Sequence, residues 1–358
     1  MAAELTGFGA GPNPAVQFET LSEAFAQASA TPGAFHEEWF LFADRPVRIR
    51  VAGDGLASDV FRAFSHLRTP APGQPPDLDI RLFDERATGV RVPGLEPVGD
   101  PNDQGETFVS DDGRFVVVAR SQTRTAVDRQ RQALVGWIGR HDHLTQYELG
   151  RPLHSELLLW HKDRGALAIH AGMVAREGRA VLLGGPGGAG KSTTALVSLL
   201  AGFDYMADDY VALTDEPDGS YMGHSLFCST HLLPSDLHRF PELKAHAIPG
   251  RLPREDKSLV LLSQIRPEGL SRKASIRAVA LPRVVDGAKT RLRPATVVES
   301  LLRMAPSSLL LLPYAGLMER EFERLSGFLE VTPTYWLELG RDRARIPERI
   351  GELLERHA

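Results

Sequence analysis

A single cysteine, Cys228, occurs in 358 residues, which excludes an internal disulfide and either half of a Cys-x-x-Cys site. Lysine is scarce as well. Only six of the 41 basic residues are lysine, at positions 162, 191, 244, 257, 273 and 289, so each lysine is more informative than usual. Neither charge sign dominates: 41 basic against 46 acidic side chains give a net charge of -5, too little positive field to hold nucleic acid without a local patch. Long apolar runs are missing too, and the best candidate, Leu309 to Leu312, stops at Pro313 and reads as a buried strand rather than a membrane span. The opening MAAELTGFGAGPNP has no basic segment followed by an apolar one, and no fixed-period repeat suggests a solenoid or propeller. These absences point to a cytoplasmic protein with no nucleic-acid or membrane partner.

What is present is ordinary globular composition, with 42% hydrophobic and 24% charged residues, and a length that suits two domains. Residues 1–150 read as a small α+β module. Phe18 to Ala30 has helical spacing of Leu21, Ala24, Phe25 and Ala28. Phe35 to Ala43 and Val47 to Val51 read as strands, and Leu56 to Leu67 as a helix before the connector Pro70 to Pro76. Leu78 to Phe83 alternates as a strand, Asp111-Asp112-Gly113 marks a hairpin between Glu106 to Ser110 and Arg114 to Ala119, and Thr125 to Ile138 has helical spacing. Trp39, Phe40 and Phe42 suit either a core or a peptide-binding surface. Arg140-His141-Asp142-His143 matches no metal-ligand spacing, and nothing beside Cys228 marks an activated thiol.

Residues 151–358 carry the chemistry. A helix from His154 to Lys162 precedes strands Leu167 to Ala175 and Ala180 to Leu183, and the second runs into Gly185-Pro186-Gly187-Gly188-Ala189-Gly190-Lys191-Ser192. This matches GxxxxGK[ST], between a strand and the helix-forming run Thr193 to Ala201, the context a phosphate-binding loop requires. Glycines let several backbone N-H groups turn inward toward phosphate oxygens, and a helix N-terminus adds its positive dipole. Lys191 would reach the β- and γ-phosphates and Ser192 would offer a hydroxyl to Mg²⁺, so residues 185–193, ending at Thr193, form the expected Mg-ATP site. A strand starting at Phe203 then ends in Asp208-Asp209. In an α/β sheet both strand ends meet at one carboxyl edge, so one aspartate can hold Mg²⁺ while the other faces an acceptor. His170 lies on the strand preceding the one that feeds the loop, where it is either a core residue or part of this site.

His170, the loop through Ser192 and Ala207-Asp208-Asp209 together resemble the catalytic core of HPr kinase/phosphorylase, a P-loop fold shared with ATP-dependent phosphoenolpyruvate carboxykinase. The resemblance implies an α/β P-loop domain preceded by a small α+β domain, Lys191 and Ser192 at the phosphates and metal, Asp209 as the base that takes the acceptor's proton, and an assisting role for His170, which leaves Asp208 as the aspartate for Mg²⁺. His224-Ser225-Leu226, Asp256-Lys257-Ser258, Leu281-Pro282-Arg283 and Tyr335 to Gly340 resemble an HPr-kinase-related branch found near peptide-modification genes. Two segments of true HPr kinases have no counterpart, one with a metal-binding glutamate and one tied to the reverse reaction, so HPr is not the expected substrate. The basic stretch Arg251, Arg254, Lys257, Arg272 and Lys273 reads either as a solvated loop or as the replacement for a missing cation, with Lys257 the leading candidate. The expected activity is transfer of the γ-phosphoryl group of ATP to a serine or other hydroxyl on a peptide, protein or small molecule. Two alternatives stay open, an ATP-binding sensor or scaffold and a carboxykinase-type reaction, and so does a homo-oligomer.

Overall fold

The computed structural model describes residues 13–95, 105–252, 255–309 and 318–357. Two compact units divide the chain: Met1–Phe40, Pro46–Asp59 and Thr69–Thr145 form the first, and Leu41–Arg45, Val60–Arg68 and Gln146–Ala358 the second.

The strands that make up most of the first unit's sheet are β1 (Phe35–Phe42), β2 (Arg45–Ala52), β3 (Arg68–Thr69), β4 (Leu78–Asp84), β5 (Glu106–Val109), β6 (Phe115–Ala119), β7 (Thr123–Asp128) and β8 (Ala133–Ile138), with Leu41, Phe42, Arg45 and Arg68 counted in the second unit. They form one eight-stranded sheet in the order β3-β1-β2-β4-β8-β7-β6-β5. A helix over Pro14–Ser29 starts at Asn13, whose side chain accepts a hydrogen bond from the Ala15 amide at 2.9 Å. Its buried Phe18, Leu21, Phe25 and Ala28 meet Val117, Val135 and Trp137 in a common core. Phe40 and Phe42 are fully buried, which makes them core residues.

The helix expected over Thr125 to Ile138 is instead the β7–β8 hairpin, with Asp128 opposite Ala133. Its loop is fixed locally. The Asp128 carboxylate accepts from the Gln130 and Arg131 amides at 3.0 and 3.1 Å, and Arg114 holds the same carboxylate through two bonds of 3.0 and 2.7 Å. Apolar residues on either side of this polar turn imitate helical spacing, but every residue of β8 is buried, as suits a strand inside a sheet and not an amphipathic helix.

In the second unit the strands are β9 (Leu167–Ile169), β10 (Ala171–Arg176), β11 (Arg179–Gly184), β12 (Asp204–Ala207), β13 (Val211–Asp215), β14 (Tyr221–Ser225), β15 (Ser229–Leu232), β16 (Ser258–Leu261), β17 (Lys273–Val284), β18 (Arg291–Pro294) and β19 (Thr334–Leu339). Nine of them make a mixed sheet, β12-β10-β11-β17-β14-β13-β9 with β19 beside β17 and β18 beside β19, while β15 and β16 pair separately. Leu309 ends the helix Val297–Leu309, and the rest of the expected Leu309 to Leu312 strand lies outside the described residues. Among the described residues no helix is long and apolar enough to cross a membrane.

β10 runs antiparallel to both neighbours, pairing Ala171 with Gly184 of β11 and Met173 with Ala207 of β12. The carboxyl ends of β11 and β12 and the amino end of β10 therefore share one edge. Two expected strands are interrupted there. Leu167 to Ala175 breaks at His170, and the strand from Phe203 to Val211 breaks after Ala207 and resumes at Val211. Val211 pairs with Ile169, so the two breaks lie side by side.

The glycine-rich loop leaves β11 at this edge with left-handed backbone at Gly185, Gly188 and Gly190, where φ is +135°, +76° and +106°. The helix Lys191–Leu200 follows directly. A Cβ on Gly190 would stand 2.5 Å from Leu339 Cδ1, whereas Gly187 has no positive φ and open space around its Cα. Gly190→Ala is expected to lose about 1–3 kcal/mol through backbone strain, and Gly187→Ala to stay within about 0.5 kcal/mol of the parent. Urea unfolding midpoints check this, and equal midpoints for the two variants would contradict it.

Candidate active site

The edge gathers six side chains of the second unit: Arg151, His170, Lys191, Ser192, Asp208 and Asp209. Asp209 receives His170 Nε2 at 2.5 Å on one oxygen and Arg151 Nη1 at 2.6 Å on the other. Arg151 Nη2 reaches Asp208 at 3.2 Å, and the second oxygen of Asp208 accepts the Thr230 hydroxyl at 2.5 Å. One buried guanidinium thus bridges both carboxylates. Its other surroundings are aromatic: the Arg151 guanidinium lies 5.1 Å from the Tyr147 ring centre and 5.6 Å from that of Tyr210. The two tyrosine hydroxyls meet at 2.6 Å.

Lys191 is buried, and its ammonium donates to the carbonyl oxygens of Gly185 at 2.8 Å and Pro186 at 3.2 Å. The cation is therefore parked on the rim of its own loop. Pro186, Gly187 and Gly188 are exposed, Ala189 is buried, and Ser192 and Thr193 are half-buried on the first turn of the helix.

Electrostatics separate the adjacent aspartates. Burial pushes Asp208 above the usual carboxylate value of 3.8, with the charge of Asp209 adding to it against Arg151 and the hydroxyls of Thr230 and Ser192. Burial acts on Asp209 in the same sense, but Arg151, His170 and Lys191 outweigh it and hold Asp209 well below the carboxylate range. For Arg151 the two aspartates overcome burial and raise its proton affinity. Lys191 is lowered, chiefly by burial and against the pull of both aspartates. Adjacent residues of one continuous strand would point to opposite faces; the aspartates instead sit in the break between β12 and β13, and both reach Arg151.

A hydroxyl from Ser192 that interacts with Asp208 is a donor set suited to Mg²⁺, a hard ion that keeps several waters and needs few protein ligands. Among the described residues no group of three or more His, Cys, Asp and Glu gathers around a metal-sized space. His141 instead binds Asp84 at 2.6 Å in the first unit. Cys228 is buried, its thiol turned to the Ala63 carbonyl at 3.3 Å.

Lys257 is exposed, and no hydrogen bond or ion pair joins it to the carboxylates among the described residues. Lys273 pairs with Asp44 at 2.6 Å, and Arg254 lies outside the described residues. The cation beside the aspartates is Arg151, in the segment Gly150-Arg151-Pro152, and not a member of the basic stretch 251–273. Its one sequence signal is an arginine placed between glycine and proline just ahead of the helix His154–Asp163.

No protein-family model matches the chain, and no curated protein matches its sequence. Among solved structures, the HPr(Ser) kinase/phosphatase from Coxiella burnetii is similar over 53% of this chain and 95% of that one, at 12% identity and a TM-score of 0.27.

Removing Arg151 would leave two carboxylates facing each other without their shared cation. Arg151→Met is expected to lose about 3–5 kcal/mol of stability, read from urea midpoints, and a loss under about 1 kcal/mol would contradict the bridge. The pH dependence has a defined sign. Asp209, whose proton affinity is depressed by folding, contributes stability above its unfolded value near 3.8 that is lost as pH falls below it. The parent should therefore lose more stability than Asp209→Asn between about pH 5 and about pH 2.5.

Proposed function

We propose that the second unit is an ATP- and Mg²⁺-dependent kinase of HPr-kinase-like type that transfers the γ-phosphoryl group to a hydroxyl acceptor, a serine or another alcohol on a peptide, protein or small molecule. The observation that carries this reading is the convergence of His170, Lys191 and Asp209 on one sheet edge beside a loop of GxxxxGKS sequence. Binding an anion needs the loop and the lysine; it does not need a carboxylate oriented by a histidine.

Mg-ATP would supply the phosphoryl donor and the divalent charge that offsets it. Backbone amides of residues 185–193 would take phosphate oxygens, all but that of Pro186, which has no N–H, while the Ala189 amide would first give up the Pro186 carbonyl it holds at 3.3 Å. Lys191 would give up its bonds to the Gly185 and Pro186 carbonyls for the β- and γ-phosphates, and Ser192 and Asp208 would hold the metal. Asp209 would accept the hydrogen bond of the acceptor hydroxyl, with His170 fixing the carboxylate's orientation. Arg151 weakens Asp209 as a base, and phosphoryl transfer tolerates this. Its transition state is loose, so the hydroxyl loses its proton late and the protein's main task is positioning and charge neutralisation.

That same weakening favours a second reading, an ATP-binding protein that senses or scaffolds without much transfer. Transfer itself separates the two. With γ-labelled ATP, Mg²⁺ and extract from the source cells, the parent is expected to label an acceptor, and Asp209→Asn to keep its ATP affinity within about threefold while losing about 10²–10⁴ in transfer rate. Lys191→Ala should lose ATP binding. Binding by the parent with no labelled product supports the second reading, and no ATP binding by the parent overturns both.

A further inference from the structure

We propose that Arg303 is a terminal-phosphate residue, the side chain by which this protein tells a nucleoside triphosphate from a diphosphate; the inference rests on the nucleotide reading above. Arg303 lies on the helix Val297–Leu309, which approaches the end of β11 closely because Gly184 has no side chain: a Cβ there would stand 2.6 Å from Met304 Sδ. One residue further on, a Cβ at Gly185 would be 4.0 Å from Arg303 Nη2. The carbonyl of Gly185 is also the acceptor of the Lys191 ammonium at 2.8 Å. Both cations therefore converge on the first residue of the loop, and the charge of Arg303 is among those that lower the proton affinity of Lys191.

Three arginines surround the Trp336 ring, with guanidinium carbons 4.4, 5.8 and 5.6 Å from its centre for Arg283, Arg293 and Arg303. Two have a carboxylate. Arg283 pairs with Glu338 at 2.5 Å and Arg293 with Glu299 at 3.2 Å. Arg303 has no hydrogen bond or ion pair among the described residues, and its Nε is buried without a partner. A guanidinium steadied on an aromatic face, without a counter-ion among the described residues and brought to the rim of an anion cradle, is suited to take an anion. In a loop of this sequence the backbone holds the α- and β-phosphates and the lysine reaches the β- and γ-phosphates. The second cation stands at the first residue of that loop, beside the parked lysine, and from there would reach the outermost phosphate, which a guanidinium can bind through two bonds.

Calorimetric titration with Mg-ATP and Mg-ADP tests this, using the parent, Arg303→Ala and Arg303→Lys. The parent is expected to favour ATP. Arg303→Ala should lose about 10- to 100-fold in ATP affinity with ADP affinity kept within about twofold, and Arg303→Lys should recover part of the preference. The ratio of the two affinities is the readout, since a merely structural arginine would weaken both ligands together. Equal losses for both nucleotides, or none for either, overturn the role of Arg303 and leave the nucleotide site standing. A parent that binds neither nucleotide overturns the nucleotide reading and this inference with it. If Arg303→Ala unfolds, the ATP preference of Arg303→Lys decides: unchanged from the parent in both affinities, it overturns the proposal.

Discussion

A single guanidinium between two carboxylates is the constraint from which the rest of the candidate site follows. Charges taken out of water cost several kcal/mol each unless they are paired with good geometry, and of the adjacent aspartates Asp208 is buried and Asp209 half-buried. Arg151 makes their proximity tolerable by bonding to each. The compensation is unequal. Asp209 has His170 as well and stays ionised easily, while Asp208 has only hydroxyls beyond the guanidinium and is pushed toward protonation. Two carboxylates in adjacent positions thereby acquire different chemical characters, which suits one to a cation and the other to a hydroxyl.

Topology brings the partners together. A strand antiparallel to both neighbours places the start of β10 beside the ends of β11 and β12, and the two interrupted strands put His170 opposite the aspartates. Interruption is what frees these side chains. In a continuous strand His170 would lie in the pleat and Asp208 and Asp209 would diverge by the alternation of side chains. The loop after β11 depends on glycine for the same kind of reason: its positive φ values at three positions turn the chain toward the helix that begins at Lys191.

Local features were legible in the sequence and distant ones were not. The strand, glycine loop and helix around residues 180–201 stand where spacing places them, because glycine, lysine and the apolar run act within a few residues of one another. The β7–β8 hairpin is not legible because its turn is held by Asp128 and Arg114, a contact with no periodic signature, while the apolar residues flanking the turn imitate a helix. Arg151 is hidden in the sequence for a related reason. Arginine is the generic surface cation of this chain, and its bonds to Asp208 and Asp209 span 57 and 58 positions. Scarcity singles out Lys257, but scarcity carries no information about distance. Arg303 was equally invisible, since its approach to Gly185 depends on how the helix Val297–Leu309 seats against Gly184.

The most direct test of this account is a titration of the two aspartates, followed through their side-chain carboxyl carbons by NMR in the nucleotide-free protein. The account requires two separated transitions, with Asp209 ionised far below the ordinary value of 3.8 and Asp208 protonating above it. Both carboxyls titrating together near 3.8 would show that no buried guanidinium divides them, and the electrostatic basis of the proposed site would fall.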